Sequence, residues 1–168
     1  VGRRVSKAVE HCGDMDATYH YYYNGQSQAE VRNGSAQVIR QQVWGLQYID
    51  ELVQTGLNDD PSSDDTCDTF YYAMHDANYN ILGLADSEGS LVERYEYTPY
   101  GQRTVYMPAG SNDPLVSAPT LEPRRWTVGG VAMPWGLNDF GHQGLEHDKE
   151  FDAVNNRGRE YIPRFGRF

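Results

Sequence analysis

A mainly β fold of antiparallel hairpins is predicted for this chain by three observations. Its 168 residues include 13 tyrosines and 17 glycines, so aromatic strand material and turn formers outweigh the aliphatic periodicity of helices. Strand-like runs are punctuated by Asn24-Gly25, Asn33-Gly34 and Glu88-Gly89, and Asn-Gly is a strong hairpin signal because both residues accept left-handed backbone angles. Internal similarity is the third. Segments 31–45 and 84–101 share a strand, a polar turn with Gly-Ser, apolar residues followed by Arg and an aromatic residue, and a Gly-terminated turn. Gly34-Ser35 aligns with Gly89-Ser90 and, one gap later, Val38 and Arg40 align with Val92 and Arg94. A lone hairpin is marginal, so such units are expected to stack side by side.

The elements follow in order. Residues 1–17 hold a short alternation at Val5 to Val9 and then a Gly and Asp cluster, one strand and a turn. TYHYYY at 18–23 is a β-branched and aromatic strand ended by Asn24-Gly25; Gln28 to Arg32 returns to Asn33-Gly34, and QVIRQQVW at 37–44 completes a meander. WGLQYIDELVQ at 44–54 fits either a strand through Tyr48 to Val53 or a short helical turn presenting Ile49, Leu52 and Val53. TGLNDDPSSDDTCD at 55–68 has five aspartates and no apolar periodicity, as in a solvated loop or hinge; it lacks the central Gly and terminal Glu of an ordered calcium loop. TFYYAMHD at 69–76, NILGLAD at 80–86 and LVERYEY at 91–97 form a second meander, which RTVYM at 103–107 extends. In LVERYEY neither face is wholly apolar, which suits a wall with one polar surface.

The predicted organisation is therefore a first meander over 1–54, an acidic loop at 55–68, a second meander over 69–107, an irregular insertion at 108–136 and a closing segment at 137–168. The insertion carries four prolines between 108 and 125, which remove ladder donors.

Charge narrows the function. Fourteen Lys and Arg stand against 24 Asp and Glu, a net charge of -10, and only Arg94 and Arg103 are cationic between residues 57 and 122. That argues against a nucleic-acid partner. Arg159, Arg164 and Arg167 interleave with Tyr161, Phe165 and Phe168, which is expected to pack against the acidic meander. No apolar run reaches the roughly 18 residues of a membrane span. Cys12 and Cys67 have no CxxC spacing, so neither a zinc pattern nor a disulfide framework is legible and their pairing stays open.

Catalytic and metal patterns are weak. His142 and His147 are five apart, not the four that puts two ligands on one helix face, and with Asp148 they would need a further ligand such as His75 or His11. Cys12 adjoins His11, but neighbours on a strand face opposite ways. Asp59-Asp60 and Asp64-Asp65 fall in the solvated loop, where nothing apolar would raise a carboxyl pKa. No GxSxG or phosphate-loop fingerprint is present. No catalytic, cofactor-binding or metal residue is assigned, and neither enzymatic activity nor a cofactor is expected.

YHYYYNGQ at 19–26, VWGLQYIDELV at 43–53, DANYNILGLADSEGSLVERYEYTPYGQRTV at 76–105 and the ending NNRGREYIPRFGRF at 155–168 together resemble the Rhs and YD-repeat family, specifically its repeat-associated core region. The resemblance covers residues 18–107 and 137–168. It implies a ribbon of hairpins that spirals into a hollow β-shell, with a core region preceding a variable C-terminal domain, often a toxin. The chain departs from the family pattern at His142-Gln143-Gly144, at His147-Asp148 and at Arg157-Gly158. The expected function is a non-catalytic structural module that encloses or displays a variable effector, its partners being flanking repeats or the effector domain of a longer parent. The alternatives are a cell-surface module binding a glycan or a surface protein, and a remnant of a self-processing aspartate protease region without its downstream motif. The resemblance implies a secreted or cell-surface parent.

Overall fold

The computed structural model describes residues 3–12, 16–106, 126–128, 131–133, 136–150, 152–156 and 158–167. Of the irregular insertion expected at 108–136, only 126–128, 131–133 and 136 are among them, without the side chains of 126–128 and 131–133, and Phe168 lies outside them.

Nine strands form one antiparallel sheet in strict chain order: β1 Ser6–Val9, β2 Ala17–Asn24, β3 Ser27–Asn33, β4 Val38–Trp44, β5 Leu52–Leu57, β6 Thr69–His75, β7 Ile81–Ala85, β8 Leu91–Tyr97 and β9 Arg103–Tyr106. This is the predicted hairpin meander. A two-stranded ribbon of β10 Trp126–Val128 and β11 Val131–Met133 follows. A three-stranded sheet then closes the described chain: β12 Glu146–Asp148, β13 Ala153–Asn155 and β14 Glu160–Tyr161. No helix among the described residues is long and apolar enough to cross a membrane.

Four of the hairpins are closed by one five-residue turn, over 33–37, 76–80, 86–90 and 98–102. In each, the first residue's N–H donates to the fifth residue's carbonyl, and its own carbonyl accepts from the fourth N–H (Ala36 to Asn33, Tyr79 to Asp76, Gly89 to Asp86, Gly101 to Thr98; 2.8–3.1 Å). The first side chain also accepts from the fifth N–H: Asn33 from Gln37, Asp76 from Asn80, Asp86 from Ser90 and Thr98 from Gln102. The fourth residue is left-handed each time, with φ of 63°, 59°, 82° and 83° for Ala36, Tyr79, Gly89 and Gly101. Such a turn suits the twist of the flanking strands, and its short polar first residue caps the open amides.

This geometry corrects the sequence alignment of the two repeats. Asn33 corresponds to Asp86 and Ala36 to Gly89, so Val38 and Arg40 occupy the positions of Leu91 and Glu93, not Val92 and Arg94. The glycine moved because only the fourth position needs a left-handed residue, and Gly34 is not in it. At the first hairpin the turn is likewise shifted by one: Asn24 pairs with Ser27, and the two-residue loop is Gly25-Gln26 with glycine at the first central position.

Between β4 and β5 neither expected form holds over the whole segment. Residues 46–50 are bends and turns, Gly45 N–H donates to Glu51 O (2.7 Å), and the strand begins at Leu52 and runs on to Leu57. Thr55, Gly56 and Leu57 are therefore buried strand, not loop. Gly56 faces Phe70 across the β5–β6 ladder, and its missing side chain leaves room for that ring. The aspartate-rich segment is the connection between two paired strands of one sheet, so the hinge reading does not hold.

One face of the sheet carries the core. Leu52, Leu57, Tyr71, Ile81, Leu84 and Tyr95 pack with Leu137 and Phe140, which the segment after β11 lays across this face. Ile81 N–H donates to Gly141 O, and the Arg103 guanidinium donates to the carbonyls of Asn138 and Phe140. The opposite face leaves Tyr22, Val43, Phe70, Tyr72, Met74 and Leu82 exposed.

Candidate functional site

Where the C-terminal segment lies on the sheet, charged side chains are buried with it. Three groups of them meet there.

The first joins β1 to β12. Arg4 donates to both Asp148 oxygens, at 2.6 and 2.5 Å, and to Glu160 at 3.0 Å; Lys7 bridges Asp148 and Glu150 at 3.0 Å each. Burial alone would raise the Asp148 carboxyl, but Arg4 and Lys7 outweigh it and hold it below the usual range. Burial works equally against the Arg4 and Lys7 charges, and their carboxylate partners keep both pKa values raised. Glu146 has the opposite fate: burial pushes its carboxyl up, with Arg4 at 3.7 Å only partly opposing.

The second group sits over β4 and β8. Arg40, at the third position of β4, contacts Asp139, which Lys149 also contacts. Glu93, at the third position of β8, is fully buried and accepts from Tyr95 O–H and from the Leu137 N–H at 3.0 and 3.1 Å. Burial raises the Glu93 carboxyl in spite of those bonds. Lys149 is pushed well below the usual lysine range by burial and by Arg40, Arg103 and Lys7, while the Glu93 charge pulls the other way.

The third group contains the histidines. The fold brings His142 and His147 together, but through an amide: the His142 N–H donates to His147 Nε2 at 3.2 Å. That nitrogen must be unprotonated to accept, and burial beside Arg103, His142 and Lys149 keeps His147 well below its ordinary pKa. Both rings lie near Tyr97, at 5.9 and 6.4 Å between centroids. His75 lies beside Tyr79, 6.2 Å between ring centroids, and His11 is exposed. Among the described residues no three His, Cys, Asp or Glu side chains converge as metal ligands.

Beside the first group, a cleft of about 640 Å³ opens between the β2–β4 end of the sheet and the C-terminal segment. Arg4, Tyr23, Trp44, Phe140 and Glu146 line it, with Trp44 edge-on to Phe140 at 4.9 Å. Arg4 and Glu146 are paired across the cleft wall at 3.7 Å, which favours holding the two layers together over polarising a bound molecule.

The remaining sequence candidates are scattered. Cys12 and Cys67 are both free thiols, and burial pushes the Cys67 thiol up to about 11. Asp60 and Asp64 accept from Ser62 and Thr66 within their own loop. Arg164 and Arg167 sit over the exposed Phe165 ring, at 5.8 and 5.5 Å, and Gly166 between them lies against the Tyr100 ring of the turn between β8 and β9. Sequence reasoning missed Glu93, Asp139, Glu146 and Lys149. The one available signal was the position of Glu93 between Leu91 and Tyr95 on a strand face, since an acid flanked by large apolar residues at period two shares their burial.

No family model matches the chain, and no curated protein matches it.

Proposed function

We propose that this chain is a non-catalytic wall module of a larger hairpin array, of the kind the Rhs and YD-repeat resemblance implies. The observation that carries the reading is the sheet itself: nine strands in chain order, four of their connections made by one turn, and β1 and β9 each with a single neighbour among the described residues. An array of this kind extends by adding hairpins at an edge, and an uncovered edge offers free N–H and C=O groups to the next strand. The C-terminal segment supports the same reading. It spends its charges on fastening itself to the inner face, with Asp148, Asp139 and Glu150 each bound to side chains of β1, β4 or the segment itself.

The test compares this chain with the same chain carrying one further hairpin unit fused ahead of β1. Sedimentation velocity is expected to show the short chain self-associating as its concentration rises, and the longer one monomeric with a steeper denaturant transition. A short chain that stays monomeric throughout, and gains nothing from the extension, defeats the proposal.

A second reading, a binding module for a surface protein or glycan, is favoured by the exposed Val43, Phe70, Tyr72, Met74 and Leu82 on the outer face. Replacing Phe70 and Tyr72 with serine separates the two: loss of cell-surface binding with unchanged sheet stability would favour this second reading.

A further inference from the structure

Asp139 and Lys149 are brought face to face by backbone pairing. His147 N–H donates to Asp139 O at 2.7 Å, Phe140 bridges Glu146, and Gly141 N–H donates to Leu145 O, so the chain doubles back on itself through the tight turn at His142–Gly144. Lys149 then places Nζ against Asp139 Oδ1, while Arg40 takes Asp139 Oδ2. On the other side of Lys149 is Gly136, whose carbonyl lies 3.5 Å from Nζ. A side chain on Gly136 would collide with the Glu93 carboxylate, so one backbone unit separates the lysine from a buried acid.

We propose that Lys149 and Asp139 form an intramolecular isopeptide bond. Nζ adds to Cγ of Asp139, the Nζ–Cγ bond forms and one Cγ–O bond breaks. The departing oxygen leaves as water, and both of its protons come from the Lys149 ammonium, transferred across the Nζ–Oδ1 contact. Charge balances, since an ammonium and a carboxylate become a neutral amide and water, and no oxidant, reductant or co-reactant is consumed.

Three features of the site favour this over a simple ion pair. A buried lysine among Arg40, Arg103 and Lys7 is held toward its neutral, nucleophilic form. Arg40 donates to the carboxyl oxygen on which negative charge grows during the addition, and a guanidinium aimed at that point stabilises the tetrahedral intermediate. The backbone pairing of residues 139–141 with 145–147 holds Nζ and the carboxyl together, so the reacting groups need no search. The product would staple the two arms of the C-terminal turn beneath the sheet, a structural bond in a structural module.

Intact mass of the purified chain, measured in denaturant so that ion pairs are lost, tests the bond. The expected mass is that of the sequence less one water, and proteolysis should release a branched peptide joining the segment with Asp139 to that with Lys149. Lys149→Arg keeps the charge and should return the full mass. The full sequence mass in the native chain overturns the bond, as does a water loss that maps elsewhere or persists in Lys149→Arg.

Discussion

Arg4 grips Asp148 across 144 positions of sequence through two parallel hydrogen bonds, and the Asp148 side chain is entirely buried beneath it. The pair ties the first strand of the meander to the C-terminal sheet. Its geometry is the bidentate fork that guanidinium and carboxylate planes match best.

Removing one partner should be costly. Asp148→Ala strands Arg4 and Lys7 in a partly buried site, and a loss of about 3 to 5 kcal/mol is expected from denaturant unfolding. Replacing Arg4 and Asp148 together by methionine and leucine should cost much less than the sum of the single changes. Additive losses would mean that the pair does not act as a unit.

Acid should loosen the C-terminal segment in two stages. His147 is held below its ordinary 6.5 because burial and its cationic neighbours favour the neutral ring. The unfolded chain therefore binds that proton first, and the stability the neutral ring contributes is present above pH 6.5 and lost as pH falls toward the folded pKa. Asp148, also depressed, contributes above its ordinary 3.8, and that share is lost at lower pH still. Glu93 and Glu146, both raised, act in the opposite sense and soften the decline. His147→Gln retains an acceptor for the His142 N–H, so its stability should be flatter below pH 6.5 than that of the native chain. Parallel pH profiles for the two would exclude His147 as the sensor.

The shared turn predicts opposite effects of glycine at equivalent places. Gly89→Ala puts a side chain on a left-handed backbone and should destabilise by about 1 kcal/mol. Ala36→Gly relieves the same strain and should stabilise, by up to about 1 kcal/mol, measured as a shift in unfolding midpoint. Gly101→Ala should be worse than Gly89→Ala, because its new side chain would also meet the His142 ring.

Gln42 and Thr55 are cross-strand partners on the buried face, and neither the Gln42 amide nor the Thr55 hydroxyl has a hydrogen-bond partner among the described residues. Thr55→Val is nearly the same shape and removes a buried polar atom. It should be neutral or stabilising by about 1 kcal/mol. A marked loss of stability would show that the hydroxyl is satisfied in solution.

The sequence by itself determined most strands of the two meanders and their pairing within each; it did not place β5 at Leu52–Leu57 or join the meanders into one sheet. TYHYYY, LVERYEY and RTVYM are β-branched or aromatic runs between polar turns, and short connections leave each strand no partner but its chain neighbour, so local chemistry was enough. Turn register was only partly local. Any of several residues near Asn24 and Gly34 tolerates a left-handed angle, and the choice between them fell to the ladder on either side. The buried charges were decided by tertiary structure alone. Within LVERYEY only the Leu91–Glu93–Tyr95 alternation hints at a covered face, and nothing in EHDKE does; Glu93 becomes interior when Leu137 and Phe140 lie down on the sheet, and Asp148 when Arg4 and Lys7 close on it. Burial and Coulomb partners act through space, between residues up to 144 positions apart, and period-two patterning carries no information at that range.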